Sequence, residues 1–157
     1  MTEGDARCVG DIVYVALGSN LGDRAAHLSA ARQALATLPG TRVVAASDVE
    51  ETAPLGPVGQ GPYLNQMVAM QTSLEPLMLL EHLHRIERDR GRERRERWGA
   101  RTLDLDIVCY GDRRVAEPQL VVPHPELAHR DFWRREIAQV SARIAPLPVH
   151  PPAAGRP

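Results

Sequence analysis

Hydrophobic positions along the chain follow two rhythms, and the switches between them divide it into elements. Residues 11–17 (DIVYVAL) form a β-branched and aromatic run that predicts a central strand. The turn-rich GSNLGD at 18–23 then leads into a stretch where Ala25, Leu28, Ala31, Leu35 and Leu38 recur at helical spacing, until Pro39-Gly40 stops it. Residues 41–51 predict a second strand on Val43, Val44 and Val49. Three prolines and three glycines in residues 52–62 predict an exposed loop. Residues 63–72 (YLNQMVAMQT) predict a third strand, with Tyr63 and Asn65 on one face near the loop. A helix follows, with Ser73 as its expected N-cap, Glu75 and Pro76 in its first turn, and Leu77, Leu80 and Leu83 along its length.

The rhythm returns to period 2 at residues 103–108 (LDLDIV), a fourth strand. Gly111-Asp112 predicts a hairpin-like turn with a short return strand at 114–116, and Ile137, Val140 and Ile144 predict a last amphipathic helix over 134–144. The order β-α-β-β-α-β with these additions predicts an α+β fold. We expect a ferredoxin-like sandwich with an antiparallel sheet, helices on one face, and an extra C-terminal hairpin and helix. One domain is expected over residues 10–146, followed by a disordered proline-rich tail at 147–157.

Composition narrows the choices only in places. The net charge of -1 argues against a general nucleic-acid or membrane-surface binder. All 19 basic residues are arginine, so a P-loop, which requires lysine, is excluded. Cys8 and Cys109 form no CxxC pattern and read as buried reduced thiols. The polar MTEGDAR start lacks the apolar core of a signal peptide, and no apolar run reaches the length of a membrane span, so a cytoplasmic protein is expected.

The densest chemistry lies in residues 91–108, GRERRERWGARTLDLDIV. In a strand, Asp104 and Asp106 point to one face while Leu103, Leu105 and Ile107 point to the other. Paired carboxylates repel unless a cation lies between them, and a hard divalent ion with oxygen ligands, Mg²⁺ above all, suits them. Arginines just upstream suit the phosphates such an ion carries, although a solvated helix end would also collect such charges. Tyr63 beside Asn65 offers an aromatic plate next to an amide, which suits a flat heterocycle but equally suits plain strand packing. His124 is braced by Pro123 and Pro125, with Arg130 and Phe132 close behind.

Four segments, ALGSNLGDR, ETAPLGP-x5-YLNQ, RIE-x3-GRERRERWGARTLDLDIV and VPHPELAHRDF, cover about residues 14–132. In this order they resemble the 6-hydroxymethyl-7,8-dihydropterin pyrophosphokinases of folate biosynthesis. The resemblance implies an enzyme that transfers pyrophosphate from MgATP to the pterin hydroxymethyl oxygen and releases AMP. It implies that Asp104 and Asp106 hold two Mg²⁺ ions, and that Thr52, Leu55 and Asn65 hydrogen-bond the pterin between Tyr63 and Phe132. It places His84, Glu87, Arg94, Trp98, Arg101, Ile107, His124 and Arg130 against ATP, and Arg92 and Arg101 near the transferring phosphoryl groups. It also suggests a monomer. Arg92 to Arg101 would then form a cover that closes over ATP and reopens. Asp106, water or a phosphate oxygen could each take the hydroxymethyl proton.

The chain departs from the pattern in three places. Gln119 stands where an arginine often touches the nucleotide, Val121 where threonine is common, and residues 133–136 (WRRE) replace an apolar stretch. We therefore expect weaker ATP binding, and the packing behind Phe132 is left open. Two other readings compete with the pyrophosphokinase. One is a non-catalytic nucleotide- or RNA-binding module, which the acidic pair and the near-neutral charge disfavour. The other is a metal-dependent phosphohydrolase using the same aspartates.

Overall fold

The computed structural model describes residues 12–53, 61–91 and 102–144. Its main sheet has five strands: β1 (Ile12–Ser19), β2 (Thr41–Ala46), β3 (Glu50–Thr52), β4 (Tyr63–Thr72) and β5 (Asp104–Tyr110). They lie in the order β2-β4-β1-β5, with β3 pairing β4 beyond the end of β2, and every pairing is antiparallel. Helices α1 (Arg24–Ala36) and α2 (Pro76–Asp89) supply the two crossovers, which is the β-α-β-β-α-β order the sequence predicts.

β1 is buried along its whole length, as a central strand covered on both faces must be. Val13, Val15 and Leu17 face α1 and α2, where Leu28, Leu35, Leu79 and Leu83 close the larger core. Tyr14 and Ala16 face the other way, with Met67 and Ala69 of β4, and meet a third helix, α3 (Asp131–Arg143), through Trp133, Ile137 and Val140. Helices α1 and α2 therefore share one face, as expected, and the additional helix α3 covers the other. The Tyr14 hydroxyl, 2.7 Å from Ser141 Oγ, ties α3 to the centre of the sheet.

Several expectations change in detail. The strand predicted over 41–51 is broken, because Ser47 turns its side chain into the ladder. Met67 N–H donates to Ser47 Oγ at 2.8 Å, and Ser47 N–H donates to the Met67 carbonyl at the same distance. Helix α2 is capped by Glu75 in extended backbone with Pro76 at its first position, so Ser73 is not the cap. The return strand, β6 (Val115–Glu117), pairs with β7 (Leu120–Val122) rather than with β5. Helix α3 starts three residues earlier than its apolar spacing suggests. Cys109, read as a reduced thiol, is buried and disulfide-bonded, while Cys8 lies outside the described residues. So does the proline-rich tail.

Candidate active site

β5 sorts its side chains as period 2 requires. Leu105 and Ile107 enter the core under α1 and α2, and Asp104 and Asp106 stand half-buried on the opposite face. Their neighbours across the β1 ladder are Gly18 and Ala16, so small residues surround both carboxylates. The height of this strand is set by Glu87, which is only 4% exposed. Its Oε2 accepts from the Leu105 N–H at 2.8 Å, a charge-assisted bond from α2 to the start of β5. The resemblance gave Glu87 to ATP, yet one of its oxygens is committed to the protein backbone.

The two aspartates open into a cleft of about 470 Å³, also lined by His84, Glu87, Ile107, Gln119, Val121, His124 and Arg130. All the described residues among the expected nucleotide and metal contacts therefore share one cavity. Leu55, Arg92, Arg94, Trp98 and Arg101 lie outside the described residues. A larger cavity of about 650 Å³ opens at the other end of the sheet around Arg42, Tyr110 and Arg113, and none of the expected site residues line it. Size therefore does not locate the chemistry; the carboxylates do.

His124 follows the cis Val122–Pro123 peptide and precedes a short 3₁₀ turn, Pro125–Ala128. Its backbone N–H donates to the Val108 carbonyl at 2.9 Å, and its Nδ1 accepts from the Glu126 N–H at 3.0 Å. With Nδ1 accepting, a neutral ring carries its proton on Nε2, which lies 3.8 Å from Asp106 Oδ1. Burial, helped by the Arg130 charge and opposed by Glu126, lowers the His124 pKa below its ordinary value. The ring is therefore a neutral N–H donor at physiological pH.

Trp133 holds this corner together. It meets the His124 ring edge-on at 4.9 Å, and the Arg130 guanidinium lies 4.5 Å from its ring centre. The departure at 133–136 thus supplies a buried tryptophan that aims two cleft residues, which settles the packing behind Phe132.

The acceptor side lies on the same face, further across the sheet. Asn65 pairs with Gly18 on β1 and with Glu50 on β3, and Gly18 pairs with Asp104, so these residues form one row across four strands. Asn65 is 7% exposed and donates from Nδ2 to Thr52 Oγ1 at 2.5 Å, which fixes its amide orientation. A Cβ on Gly18 would lie 3.4 Å from Asn65 Oδ1 and 3.5 Å from Tyr63 Cδ1. Glycine thus keeps the floor flat between the amide and Asp104. Phe132, in the first turn of α3, packs at the edge of the smaller core. No single motif rule flags Gly18, although a glycine inside a strand pattern is itself a sign of close approach.

Among the described residues no group of three His, Cys, Asp or Glu side chains could hold a metal. The candidate donor set is the Asp104/Asp106 pair. Two carboxylates, with water and substrate phosphate completing the shell, fit Mg²⁺ rather than a metal caged wholly by protein.

The chain matches the family described as 7,8-dihydro-6-hydroxymethylpterin-pyrophosphokinase over residues 14–142. It belongs to that family. Among curated relatives named 2-amino-4-hydroxy-6-hydroxymethyldihydropteridine pyrophosphokinase, that of Pseudomonas aeruginosa is 47% identical over 129 residues, covering 82% of this chain and 80% of the relative. The Pseudomonas putida protein is 50% identical over 111 residues, 71% of this chain and 92% of the relative. That of Haemophilus influenzae is 44% identical over 119 residues, 76% of this chain and 74% of the relative. The matched span runs from β1 into α3, so it includes every described residue lining the Asp104/Asp106 cleft and the row around Asn65.

Proposed function

We propose that this pyrophosphokinase transfers pyrophosphate from ATP to the hydroxymethyl group of 6-hydroxymethyl-7,8-dihydropterin, releasing AMP, as a cytoplasmic monomer of the folate pathway. The observation that carries the reading is the row Asn65–Gly18–Asp104, which sets an oriented amide and a carboxylate on one flat floor. The pterin edge bonds Asn65 and Thr52, with Tyr63 and Phe132 against its ring and Leu55 completing the pocket. The triphosphate lies in the cleft, with His84, Glu87, Ile107, His124 and Arg130 lining it and Arg92, Arg94, Trp98 and Arg101 supplying the cover.

Asp104 and Asp106 would hold Mg²⁺, two ions in this reading, which when bound neutralises charge across the triphosphate oxygens. The hydroxymethyl oxygen bonds to the β-phosphorus and gives up its proton to Asp106, water or a phosphate oxygen, while the bond from that phosphorus to the α–β bridging oxygen breaks and AMP leaves with the bridging oxygen. Such a transfer needs alignment and charge neutralisation more than covalent help. The Nε2–H of His124 donates to phosphate oxygen without adding a titrating charge, and Arg130 supplies the fixed cation beside it.

The test is AMP formation from ATP and Mg²⁺ with and without hydroxymethyldihydropterin. AMP that depends on the pterin is the expected result. Pterin-independent phosphate release would favour a phosphohydrolase, and nucleotide binding without turnover would favour a binding module.

A further inference from the structure

Helix α3 is fastened to the sheet edge running from the end of β2 into β3 at every fourth residue. Arg135 Nη2 donates to Glu50 Oε1 at 2.9 Å, Gln139 bonds Asp48 through both its amide atoms, and Arg143 bonds the Ala46 carbonyl and Asp48 at 2.9 Å each. These three are exposed and individually weak. Beneath them lies a group of a different kind. Glu136 is only 3% exposed, and neither carboxyl oxygen has a hydrogen-bond donor within reach among the described residues. Arg135, the residue just before it on α3, holds Glu50 Oε1 at 2.9 Å, which brings the Glu50 carboxyl to the same stretch of the helix, and the Glu50 charge acts on Glu136. Two carboxyls meet in a buried site only when one keeps its proton.

The location gives this contact a consequence. Glu136 lies four residues after Phe132, on the same side of α3. Glu50 lies two residues before Thr52, on the same face of β3, and pairs with Asn65. The contact therefore joins the helix carrying Phe132 to the strand carrying Thr52, the two walls of the proposed pterin pocket. We propose that Glu136 is a positioning residue for the pterin acceptor, donating its carboxyl proton to Glu50 and so holding the Phe132 and Thr52 walls at a fixed separation. This rests on the pterin reading above and touches neither ATP nor the reacting atoms.

Proton occupancy follows from the surroundings. Burial, reinforced by the Glu50 charge and opposed only by Arg135, pushes Glu136 up to about 9, while Glu50 is lowered. β4 presents Asn65 and Met67 to this side and β2 presents Val44, none of which titrates. Glu126 of the 3₁₀ turn lies 3.9 Å from Arg130. The contact therefore holds at neutral pH and turns repulsive as pH rises through about 9.

The experiment measures the dissociation constant and KM of hydroxymethyldihydropterin from pH 7 to 10 for the wild type, Glu136→Gln and Glu136→Ala, with KM for ATP alongside. Gln keeps a donor toward Glu50 and cannot ionise. Wild-type pterin affinity should fall about fivefold relative to Glu136→Gln above pH 9, the factor that losing one hydrogen bond is worth. Titration of the pterin itself cancels in that ratio. At pH 7, Glu136→Ala should weaken pterin about fivefold and leave KM for ATP unchanged, with Gln restoring the wild-type value. A wild-type-to-Gln ratio that stays flat to pH 10 overturns the proposal, as does an Ala variant that loses ATP and pterin affinity equally. If the Ala variant does not fold, the pH ratio decides alone. A wild type that binds no pterin instead overturns the substrate reading, a distinguishable result.

Discussion

The two faces of the central sheet are built on the same strands yet do opposite things. Under α1 and α2 the face is largely apolar from Val13 to Leu105, and the buried Gln66 on it is satisfied by Arg32 of α1 at 2.7 Å. Under α3 it is apolar only where Trp133, Ile137 and Val140 reach, and at the far end it carries Asn65, Gly18, Asp104 and Asp106. One face is covered fully and serves stability. The other is covered partly, and the uncovered end is where charge and hydrogen bonding remain available to a ligand. Apart from His84 and Glu87, which reach the cleft from α2, stability and the candidate site are thus separated by face, so a substitution deep in the larger core should leave the cleft nearly untouched.

The sharpest way to break that separation is to remove a carboxylate. Asp106→Ala should lower the turnover of pterin to AMP by about 100-fold or more, the scale of losing one charge-stabilising group, while the melting temperature stays close to wild type. A variant retaining half its activity would undo the metal assignment. On the other face, Leu35 is fully buried beneath the sheet and far from the cleft. Leu35→Ala should cost about 2–5 kcal/mol in denaturant unfolding, with kcat of the folded fraction unchanged.

Glu136 is where the two functions meet, and stability should report it. In the unfolded chain this carboxyl ionises near 4.5; in the fold it holds its proton to about 9. Between those values the folded state binds more protons than the unfolded state, so stability falls as pH rises. Glu136→Gln removes that slope. Thermal melts of the two proteins should nearly coincide at pH 5 and separate progressively to pH 9, with the Gln variant the more stable. The smallest effect belongs to Gln119, which lines the cleft proposed for the nucleotide. Gln119→Arg should tighten ATP binding about two- to fivefold in a titration, the value of one exposed ion pair. Unchanged or weaker binding would show that the position does not face the phosphates.

The sequence made the carboxylate strand easy to read, because period 2 alone sorts Asp104 and Asp106 from Leu105 and Ile107. The crossover order was equally plain from the alternating rhythms. What escaped was whatever depended on partners distant in the chain. The break at Ser47 depends on Met67, the buried state of Glu136 depends on Glu50, and the partner of β6 is the later β7 rather than the preceding β5. Gly18 looked like the start of a turn, yet it is a strand residue whose missing side chain matters because of Asn65 and Asp104. Trp133 looked like a departure from a pattern and is instead the support for His124 and Arg130.

The interruption between β2 and β3 has a consequence of another kind. This is an outer edge of the sheet, where an unbroken strand would leave a long row of unpaired amides and carbonyls able to recruit a strand from another molecule. Ser47 divides the edge into pieces of six and three residues, and the Asp48 backbone N–H between them is taken by Gln139. The rim is too short and too occupied to template intermolecular pairing, so the same kink that sets β3 at its angle also protects the folded protein against edge-to-edge aggregation.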